Sequence, residues 1–227
     1  MLGFIVPSKV SEIVGALVRS GCLKFGAFKL KSGIVSPYYI DLTWLLSSPR
    51  DFRCIVDVAV DEIRKIMASD KIDKLASIEL KGAMLIPNIA CRLNLPCLVV
   101  RKEDKRYGAT GRVVGGEVAK GEHLLFFDDV ITDGKSKLEG IKPLGQLGAQ
   151  IEIVMVVVDR EQGGKENLER LGYRLRSLTT ISELVKHLFQ SSHISKKQCD
   201  AVLNYVTFVE RGSKPPKEFK YLKKKTK

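Results

Sequence analysis

The sequence lacks the features that mark membrane-spanning and repeat proteins. No uninterrupted apolar run in its 227 residues is long enough to cross a bilayer. The N-terminal MLGFIVPSKV has no basic region before its apolar patch and no small-residue cleavage pattern, so we expect it to belong to the fold. No internal repeat precedes residue 211. We therefore expect a cytoplasmic protein with no membrane partner.

Cysteine and histidine are too few and too scattered to predict a zinc site or a disulfide framework. The sequence has five cysteines and three histidines, with no CxxC spacing and no histidine cluster near a cysteine. We expect the cysteines to be reduced core residues. Two nucleotide-binding signatures are also absent, namely the P-loop pattern GxxxxGK[ST] and the glycine pattern of dinucleotide-binding folds.

Positive charge is concentrated at the C-terminus. The formal net charge is +12, from 38 Lys and Arg against 26 Asp and Glu. Residues 211–227 contain eight of the basic residues and one acid, so 30 basic and 25 acidic residues remain in the preceding part of the chain. We interpret 211–227 as a solvated, flexible basic tail, and we do not expect nucleic acid as a partner because only Phe219 and Tyr221 could stack on bases.

The pattern of apolar runs predicts one α/β core. Hydrophobic residues make up 44% of the chain and charged residues 28%, which is a globular composition. Nearly continuous apolar runs indicate strands buried on both faces, and segments of helical periodicity separate them. The expected strands are 75–79, 95–101, 123–129 and 151–160. The expected helices are 10–18, 51–67, 83–93, 135–147 (with Pro143 kinking or restarting it) and 182–208.

Two adjacent aspartates, Asp128 and Asp129, follow the apolar run of FFDDVITDGKS. In open parallel sheets, ligands bind beyond the carboxyl ends of the strands, where this pair is expected. The residues after it lead into a helix N-terminus, where free N–H groups and the helix dipole favour a phosphate. The stretch therefore offers acceptors for sugar hydroxyls, followed by donors for a phosphate. The alternative is that the carboxylates cap the helix or pair with lysines.

This stretch resembles the phosphoribosyl-pyrophosphate (PRPP) signature of type I phosphoribosyltransferases. Three further segments, at about the expected order and spacing, resemble the orotate phosphoribosyltransferase family. They are FKLKSGIVSPYY, which ends in the aromatic pair beside the orotate ring; RKEDKRYG followed by Gly111-Arg112, which is similar to the mobile catalytic loop; and VDREQGG, which bears the arginine that reads the orotate carboxylate. The resemblance covers about residues 10–208.

The resemblance implies a Rossmann-like α/β fold with a central parallel sheet flanked by helices. Its expected divisions are 1–48, an N-terminal helix and a hood over the base site; 49–210, the phosphoribosyltransferase core with C-terminal helices; and 211–227, the tail. It implies a homodimer in which the 101–112 loop reaches the neighbouring active site. It also implies Mg²⁺ bound mainly through PRPP and water, without a direct protein ligand that we can name.

The resemblance assigns residues to each part of the substrates. Those expected to be catalytic are Lys102, Lys105, Asp128 and Asp129. Those expected to bind PRPP are Lys81, Gly82, Arg101, Lys102, Lys105, Tyr107, Asp128, Asp129, Val130, Ile131, Thr132, Asp133, Gly134, Lys135 and Ser136. Those expected to bind orotate are Lys31, Tyr38, Tyr39, Thr132 and Arg160. The alternatives are a surface lysine at 31, tyrosines at 38 and 39 that only pack in a turn, a solvated basic loop at 101–112 and a structural ion pair at Arg160.

Five residues depart from the family pattern. Tyr107 stands where a histidine is usual, and Ala83-Met84 replaces Ile-Pro after Gly82. Asp133 and Lys135 stand where small residues or threonine are common, so we expect Asp133 to turn outward, with Lys135 offsetting its charge. These departures leave two alternatives to Mg²⁺-dependent transfer of phosphoribosyl from PRPP to orotate, giving orotidine 5′-monophosphate and pyrophosphate in pyrimidine biosynthesis. One is a catalytically weak PRPP-binding regulator that contacts nucleic acid, and the other is a phosphoribosyltransferase for another base.

Overall fold

The structure is a computed structural model that describes residues 9–29, 33–105 and 111–210. The predictions on Lys31, Tyr107, residues 1–8 and the tail 211–227 lie outside these residues, as does the side chain of Lys105. No helix in the described ranges combines the length and the apolar character that a bilayer crossing requires.

The elements alternate between strand and helix through the middle of the chain. In chain order they are α1 (Lys9–Arg19), β1 (Leu23–Lys29), β2 (Val35–Ile40), a 3-10 helix (Leu42–Ser47), α2 (Pro49–Met67), β3 (Lys74–Ile78), α3 (Lys81–Leu93), β4 (Cys97–Lys105), β5 (Gly111–Val114), β6 (His123–Ile131), α4 (Lys135–Gln146), β7 (Gln150–Asp159), α5 (Gly164–Glu169), β8 (Arg174–Thr180), α6 (Ile181–Gln190) and α7 (Lys196–Glu210).

The chain divides into two compact units. One comprises Val56–Leu178, and the other combines Met1–Ile55 with Thr179–Lys227. Compactness therefore groups α6 and α7 with the N-terminal elements, whereas the sequence placed them with the core. The reason is that α6 contacts α1 and α7 contacts β2. As functional divisions, 1–48, 49–210 and 211–227 stay a prediction.

The larger unit is built on a six-stranded sheet of order β5-β4-β3-β6-β7-β8. The central strand pairs β3/β4, β3/β6 and β6/β7 are parallel, and only the edge strand β5 is known to pair antiparallel, with β4. The residues of β6 from Leu124 to Ile131 are nearly all buried, as expected for a strand covered on both faces. This parallel centre confirms the predicted fold class.

Helix α4 packs closely on the sheet because a glycine lies at the contact. A Cβ added to Gly140 would lie 2.5 Å from the Phe126 ring and 3.1 Å from Ile78. Phe126 is fully buried, and Ile141 and Leu144 of the same helix belong to the same core cluster. This packing fixes the start of α4 relative to the end of β6.

The smaller unit buries its own apolar faces. Helix α1 buries Ile13, Ala16 and Leu17, and α6 begins with a capping box in which Thr180 and Glu183 satisfy each other's backbone N–H groups. Tyr38 of β2 meets Tyr205 of α7 edge to face, with 6.0 Å between ring centroids. Both rings are buried, so the C-terminal helix completes the core beneath the β1–β2 hairpin.

The 3-10 helix presents an aromatic side chain at the surface of the smaller unit. Trp44 is 48% exposed, and the Lys24 ammonium lies 4.1 Å from the centroid of its ring. Trp44 is the only tryptophan of the chain, so tryptophan fluorescence reports on this unit.

One prediction about helices was wrong and another was half right. Helix α4 is continuous through the buried Pro143 to Gln146, so Pro143 does not restart it, and the expected kink stays a prediction. The expected helix 182–208 is two helices, α6 and α7, separated at Ser191–Ser195. There Ser192 has a φ of 58°, and the Gln198 side chain accepts hydrogen bonds from the backbone N–H and the hydroxyl of Ser195, the residue just before α7.

Candidate functional site

The aspartate pair lies near the carboxyl end of β6, beside the end of β3. Asp128 and Asp129 are 4% and 6% exposed, and β6 continues past them to Ile131. Because β3 is the parallel neighbour of β6, the residues that follow β3 meet the pair at the same edge of the sheet. Strand topology therefore brings Lys81 and Gly82 beside the aspartates, as the sequence predicted.

Asp128 is fixed through both of its oxygens. Its Oδ2 lies 2.6 Å from the Lys137 Nζ, and its Oδ1 accepts the backbone N–H of Asp129 at 2.9 Å. The lysine pairing that the sequence left open as an alternative is thus present at Asp128. The lysine is Lys137, a buried residue of α4, and it pairs directly with Asp128 and not with the neighbouring Asp129.

Asp129 is a buried carboxyl with a strongly perturbed pKa. Burial, together with repulsion from Asp128, raises the pKa of Asp129 to about 7, although Lys137, Lys81 and the Val130 N–H act in the opposite direction. Near neutral pH, small changes in the surrounding charges therefore decide whether this carboxyl is ionised. A cationic or hydroxyl-rich ligand would favour the ionised form.

Gly82 allows α3 to begin directly against the aspartate pair. A Cβ at this position would lie 2.2 Å from the Ser77 Oγ and 2.5 Å from the Asp128 Oδ1. No larger residue fits without moving Asp128. The sequence assigned this glycine to close approach of a pyrophosphate, and the structure adds a second reason, which is close approach of α3 to β6.

The segment after the aspartates turns sharply into α4. Gly134 has a φ of 85° and precedes Lys135, the first helical residue. The Asp133 carboxylate accepts the Lys135 backbone N–H at 3.1 Å, and its other oxygen lies 3.1 Å from the Lys135 Nζ. Partial burial of Asp133 opposes the change, but the amide and ammonium of Lys135 lower the pKa of Asp133. Asp133 is 45% exposed at its side chain and pairs with Lys135 as expected, yet it also occupies a donor expected for phosphate.

Helix α5 braces this loop from the side of β7. The Asn167 Nδ2 donates to the Asp133 carbonyl at 2.9 Å, and a Cβ on Gly164 would lie 2.5 Å from the Thr132 carbonyl. The Arg160 N–H donates to the Ile131 carbonyl at 3.1 Å. Arg160 therefore lies at the same sheet edge as the aspartate pair, as the sequence predicted.

The end of β4 carries the first basic residues of the expected catalytic loop. The Lys102 N–H donates to the Glu79 carboxylate at 2.7 Å, which fixes a negative charge of the β3–α3 connection. The Arg101 Nη1 donates to the Gly111 carbonyl at 3.2 Å, and the Arg112 Nε donates to the Arg101 carbonyl at 3.0 Å. These bonds join the two ends of the loop. The backbone of Lys105 still pairs with Gly111.

The aromatic pair of the hairpin divides into one buried and one accessible ring. Tyr38 is fully buried against Tyr205, whereas Tyr39 is 39% exposed, with its ring centroid 5.6 Å from that of Phe28. Only Tyr39 can offer a ring face to a ligand. Lys31 lies outside the described residues.

Sequence reasoning missed Lys137, whose side chain is 4% exposed. A signal for it was present, because Lys137, Ile141 and Leu144 follow the i, i+4, i+7 spacing of one helix face, and the two apolar residues predict burial of the third. Asn167 was missed as well, and no sequence pattern distinguishes it from a surface residue of α5.

Comparisons with known proteins agree with this geometry. The chain is 37% identical to the orotate phosphoribosyltransferase of Pyrococcus horikoshii over 187 residues, which is 82% of this chain and 97% of that protein. The crystal structure of orotate phosphoribosyltransferase from Aeropyrum pernix matches with a TM-score of 0.69 and 29% identity, over 78% of this chain and 98% of that chain.

The structure of Leishmania donovani UMP synthase matches with a TM-score of 0.76 and 28% identity, over 88% of this chain and 42% of that chain. A scan against protein-family models gave no match. The identity to the Pyrococcus enzyme over nearly its whole length decides the assignment: the chain belongs to the orotate phosphoribosyltransferase family, whose members are pentosyltransferases.

Proposed function

We propose that the protein transfers the 5-phosphoribosyl group of PRPP to orotate, giving orotidine 5′-monophosphate and pyrophosphate in pyrimidine biosynthesis. The observation that carries the proposal is the buried Asp128–Asp129 pair at the carboxyl edge of a parallel sheet, followed at once by a helix N-terminus, in a chain of this family. Neither feature alone would name the reaction.

The aspartates would act on the ribose. Breaking the bond between ribose C1 and pyrophosphate leaves an oxocarbenium-like sugar, which nearby carboxylates stabilise electrostatically. Ionised Asp129 would accept a ribose hydroxyl and favour the developing positive charge. Asp128 would contribute a fixed negative charge behind it, because both of its oxygens are already held.

The loop after β6 would bind the 5-phosphate. Val130, Ile131, Thr132, Asp133, Gly134, Lys135 and Ser136 supply this segment, and the first N–H groups of a helix favour an anion. In the proposed complex, a phosphate oxygen takes over the Lys135 N–H, and the Asp133 carboxylate leaves it. The Lys135 ammonium is then released toward the phosphate.

Basic residues would neutralise the pyrophosphate leaving group. Lys81 and Gly82 follow β3, while Arg101, Lys102, Lys105 and Tyr107 belong to the β4–β5 loop. The loop residues would act on the active site of a second subunit, so the proposal includes a homodimer. Closure of the loop would exclude water that could otherwise hydrolyse the activated sugar.

Magnesium fits this proposal as an ion carried with the substrate. Among the described residues, no group of three or more His, Cys, Asp or Glu side chains could enclose a metal ion. Two carboxylates beside an oxygen-rich substrate do suit Mg²⁺, which retains several water ligands and is often held through substrate phosphates. When bound, the ion would neutralise pyrophosphate oxygens; the chain's part is to orient the sugar and exclude water.

The residues proposed for orotate are Lys31, Tyr38, Tyr39, Thr132 and Arg160. The planar guanidinium of Arg160 can pair with a carboxylate through two parallel hydrogen bonds. Tyr39 supplies the accessible ring, and Tyr38 can contribute only backbone groups because its ring is buried. A cytoplasmic location is part of the same proposal, and the five free cysteines suit a reducing compartment.

The test is to mix the protein with Mg²⁺, PRPP and orotate and to follow the ultraviolet absorbance of orotate. We expect loss of orotate that depends on PRPP, and Asp129→Asn should reduce it by about a hundredfold, as removal of one electrostatic group typically does. Lys142→Met, an exposed substitution on α4, is the control for general damage. Turnover of uracil or a purine in place of orotate would contradict the proposed substrate.

The regulatory alternative is tested in the same preparation. The named relatives do not favour it, since the Pyrococcus protein is an orotate phosphoribosyltransferase. A protein that binds PRPP without turnover and shifts labelled RNA in a salt-dependent way would replace the enzymatic proposal.

A further inference from the structure

Lys137 is a buried ammonium in direct contact with the site, yet no step of the proposed reaction uses it. It is the third residue of α4, and its side chain is 4% exposed. Its Nζ lies 2.6 Å from the Asp128 Oδ2, 2.5 Å from the Val130 carbonyl and 3.3 Å from the Ser136 Oγ. An ammonium has three donors, so these three acceptors use its full capacity.

The Lys137 ammonium contacts three separate parts of the site. Asp128 is the ion-paired member of the aspartate pair, the Val130 carbonyl belongs to the strand end, and Ser136 lies in the first turn of α4. A buried charge is tolerated when it is paired and hydrogen-bonded, and removing one partner leaves the other uncompensated. The buried charge of Lys137 is therefore compensated by Asp128, and the buried carboxylate of Asp128 is compensated by Lys137.

The partner carboxylate cannot move independently. Its Oδ1 accepts the Asp129 N–H and lies 2.5 Å from the place that a Cβ on Gly82 would take, so the carboxylate is packed against the first turn of α3. The charged groups that face Asp129 are Asp128 on its own strand, Lys137 on α4 and Lys81 on α3. Lys137 is held by a direct ion pair to Asp128.

We propose that Lys137 is a positioning residue, whose buried ammonium keeps Asp128 charged and fixed beneath the ribose and allows Asp129 to ionise beside it. The inference rests on the proposed function for its effect on the reaction. The proposed effect of Lys137 on the ionisation of Asp129 applies to the protein without substrate and does not depend on the reaction. The Lys137 ammonium would then offset the repulsion between the two adjacent carboxylates, so the end of β6 keeps its shape.

The test compares Lys137→Met, Lys137→Arg and Lys142→Met. Methionine has a similar length without the charge, arginine retains the charge in another shape, and Lys142 is an exposed lysine of the same helix. The measurement is the pH dependence of kcat/KM for PRPP. We expect the acidic limb of Lys137→Met to move up by about one pH unit, which lowers kcat/KM about tenfold on that limb. Lys137→Arg should retain the wild-type limb with a lower kcat, and Lys142→Met should match the wild type.

A carboxyl titration without substrate separates this inference from the proposed function. The ¹³C signal of the Asp129 carboxyl should titrate about one pH unit higher in Lys137→Met than in the wild type. An unchanged titration in folded Lys137→Met overturns the inference, even if the enzyme is active. A wild-type protein that does not consume orotate overturns the proposed function, while the titration still decides the role of Lys137 in the charge balance.

A second comparison applies if Lys137→Met does not fold. Asp128→Asn and Asp128→Asn/Lys137→Met differ only in the ammonium, and the double variant contains no unpaired buried charge from this ion pair. We expect the Asp129 carboxyl to titrate about one pH unit higher in the double variant. Equal titrations in the two variants would overturn the inference.

Discussion

At the scale of single residues, Asp133 is the side chain that opposes the proposed function most directly. Its carboxylate accepts the Lys135 N–H, which is one of the donors proposed for the 5-phosphate. A phosphate must displace this internal anion and also approach its negative charge. The position therefore weakens binding of the substrate that the loop is proposed to hold.

Asp133→Ser should tighten binding of PRPP about fivefold, equivalent to about 1 kcal/mol. Serine removes the charge but can still accept the Lys135 N–H, so the loop retains its turn. Isothermal titration with Mg²⁺ and PRPP measures the change. Asp61→Ser, an exposed substitution in α2, is the matched control. Weaker binding in Asp133→Ser would mean that the carboxylate supports the loop more than it opposes phosphate.

Asp129 couples both activity and stability to pH. Because its folded pKa is raised to about 7 from an ordinary value near 4, the native protein holds a proton there that the unfolded chain has released. The contribution of this group to stability is therefore fully present at low pH and declines as pH rises from about 4 to 7. Activity has the opposite trend, since the proposed reaction uses the ionised carboxylate.

Asp129→Asn should remove this pH-dependent decline. We expect its free energy of unfolding to exceed that of the wild type by an amount that grows between pH 5 and 7, by at most about 1.4 kcal/mol per pH unit. Urea unfolding followed by circular dichroism at several pH values measures the difference. A constant difference across this range would show that Asp129 has an ordinary pKa in the folded protein.

At the scale of elements, substitution by alanine is expected to have opposite effects on stability at two glycines of α4. Gly140 faces Phe126 at a distance that leaves no room for a Cβ, whereas no atom lies within 4 Å of a Cβ built on Gly145. Alanine improves helix propensity at both positions, by up to about 1 kcal/mol. Overpacking against a buried ring costs about 1–3 kcal/mol, so it outweighs propensity at Gly140 alone.

We expect Gly140→Ala to destabilise the protein by about 1–2 kcal/mol and Gly145→Ala to stabilise it by about 0.5 kcal/mol. Chemical denaturation of the two variants in parallel measures both signs. Equal effects would mean that Phe126 moves aside freely, which a close-packed core does not allow without cost.

The sequence predicted the central elements better than the peripheral ones. The strands β4, β6 and β7 were predicted because strands buried on both faces are nearly continuous in apolar residues, whereas β3 was predicted from a less continuous run. Strands β5 and β8 were missed because GRVV is short and RLRSLTT alternates charged with apolar residues. Helix α4 does not restart at Pro143 because packing of this buried turn outweighs local propensity.

The same division applies to the site. The sequence could predict that residues defined by a motif, such as the aspartate pair and Lys81-Gly82, lie at one sheet edge, because their spacing follows the strand ends. Their roles stay a prediction. Lys137 and Asn167 were missed, since their roles depend on which face of a helix meets the loop. The exposed ring of Tyr39 could not be separated from the buried ring of Tyr38, because the hairpin register decides which one faces the core.

At the scale of the whole molecule, the contact between the first and last parts of the chain predicts where stability is most sensitive. Tyr205 of α7 packs edge to face on Tyr38, and both are fully buried. Tyr205→Ala should destabilise the protein by about 3 kcal/mol, as removal of a buried aromatic ring typically does.

Urea unfolding of Tyr205→Ala should be followed by two signals. The fluorescence of Trp44 reports on the smaller unit, whereas circular dichroism reports on all helices. We expect the fluorescence transition to move to lower urea. Phe208→Ala, at an exposed position of the same helix, should change it little. A larger effect from Phe208 than from Tyr205 would contradict the packing of α7 on β2.

The placement of α6 and α7 beside α1 and β2 has a consequence for biosynthesis. A ribosome releases α1 and the β1–β2 hairpin before the six-stranded sheet, and the helices α6 and α7 that contact them follow the sheet. The strands of the sheet can pair as they emerge, whereas the apolar surfaces of α1 and the hairpin remain uncovered until α6 and α7 have been translated. Nascent chains should therefore be most prone to chaperone capture at α1 and the hairpin during this interval.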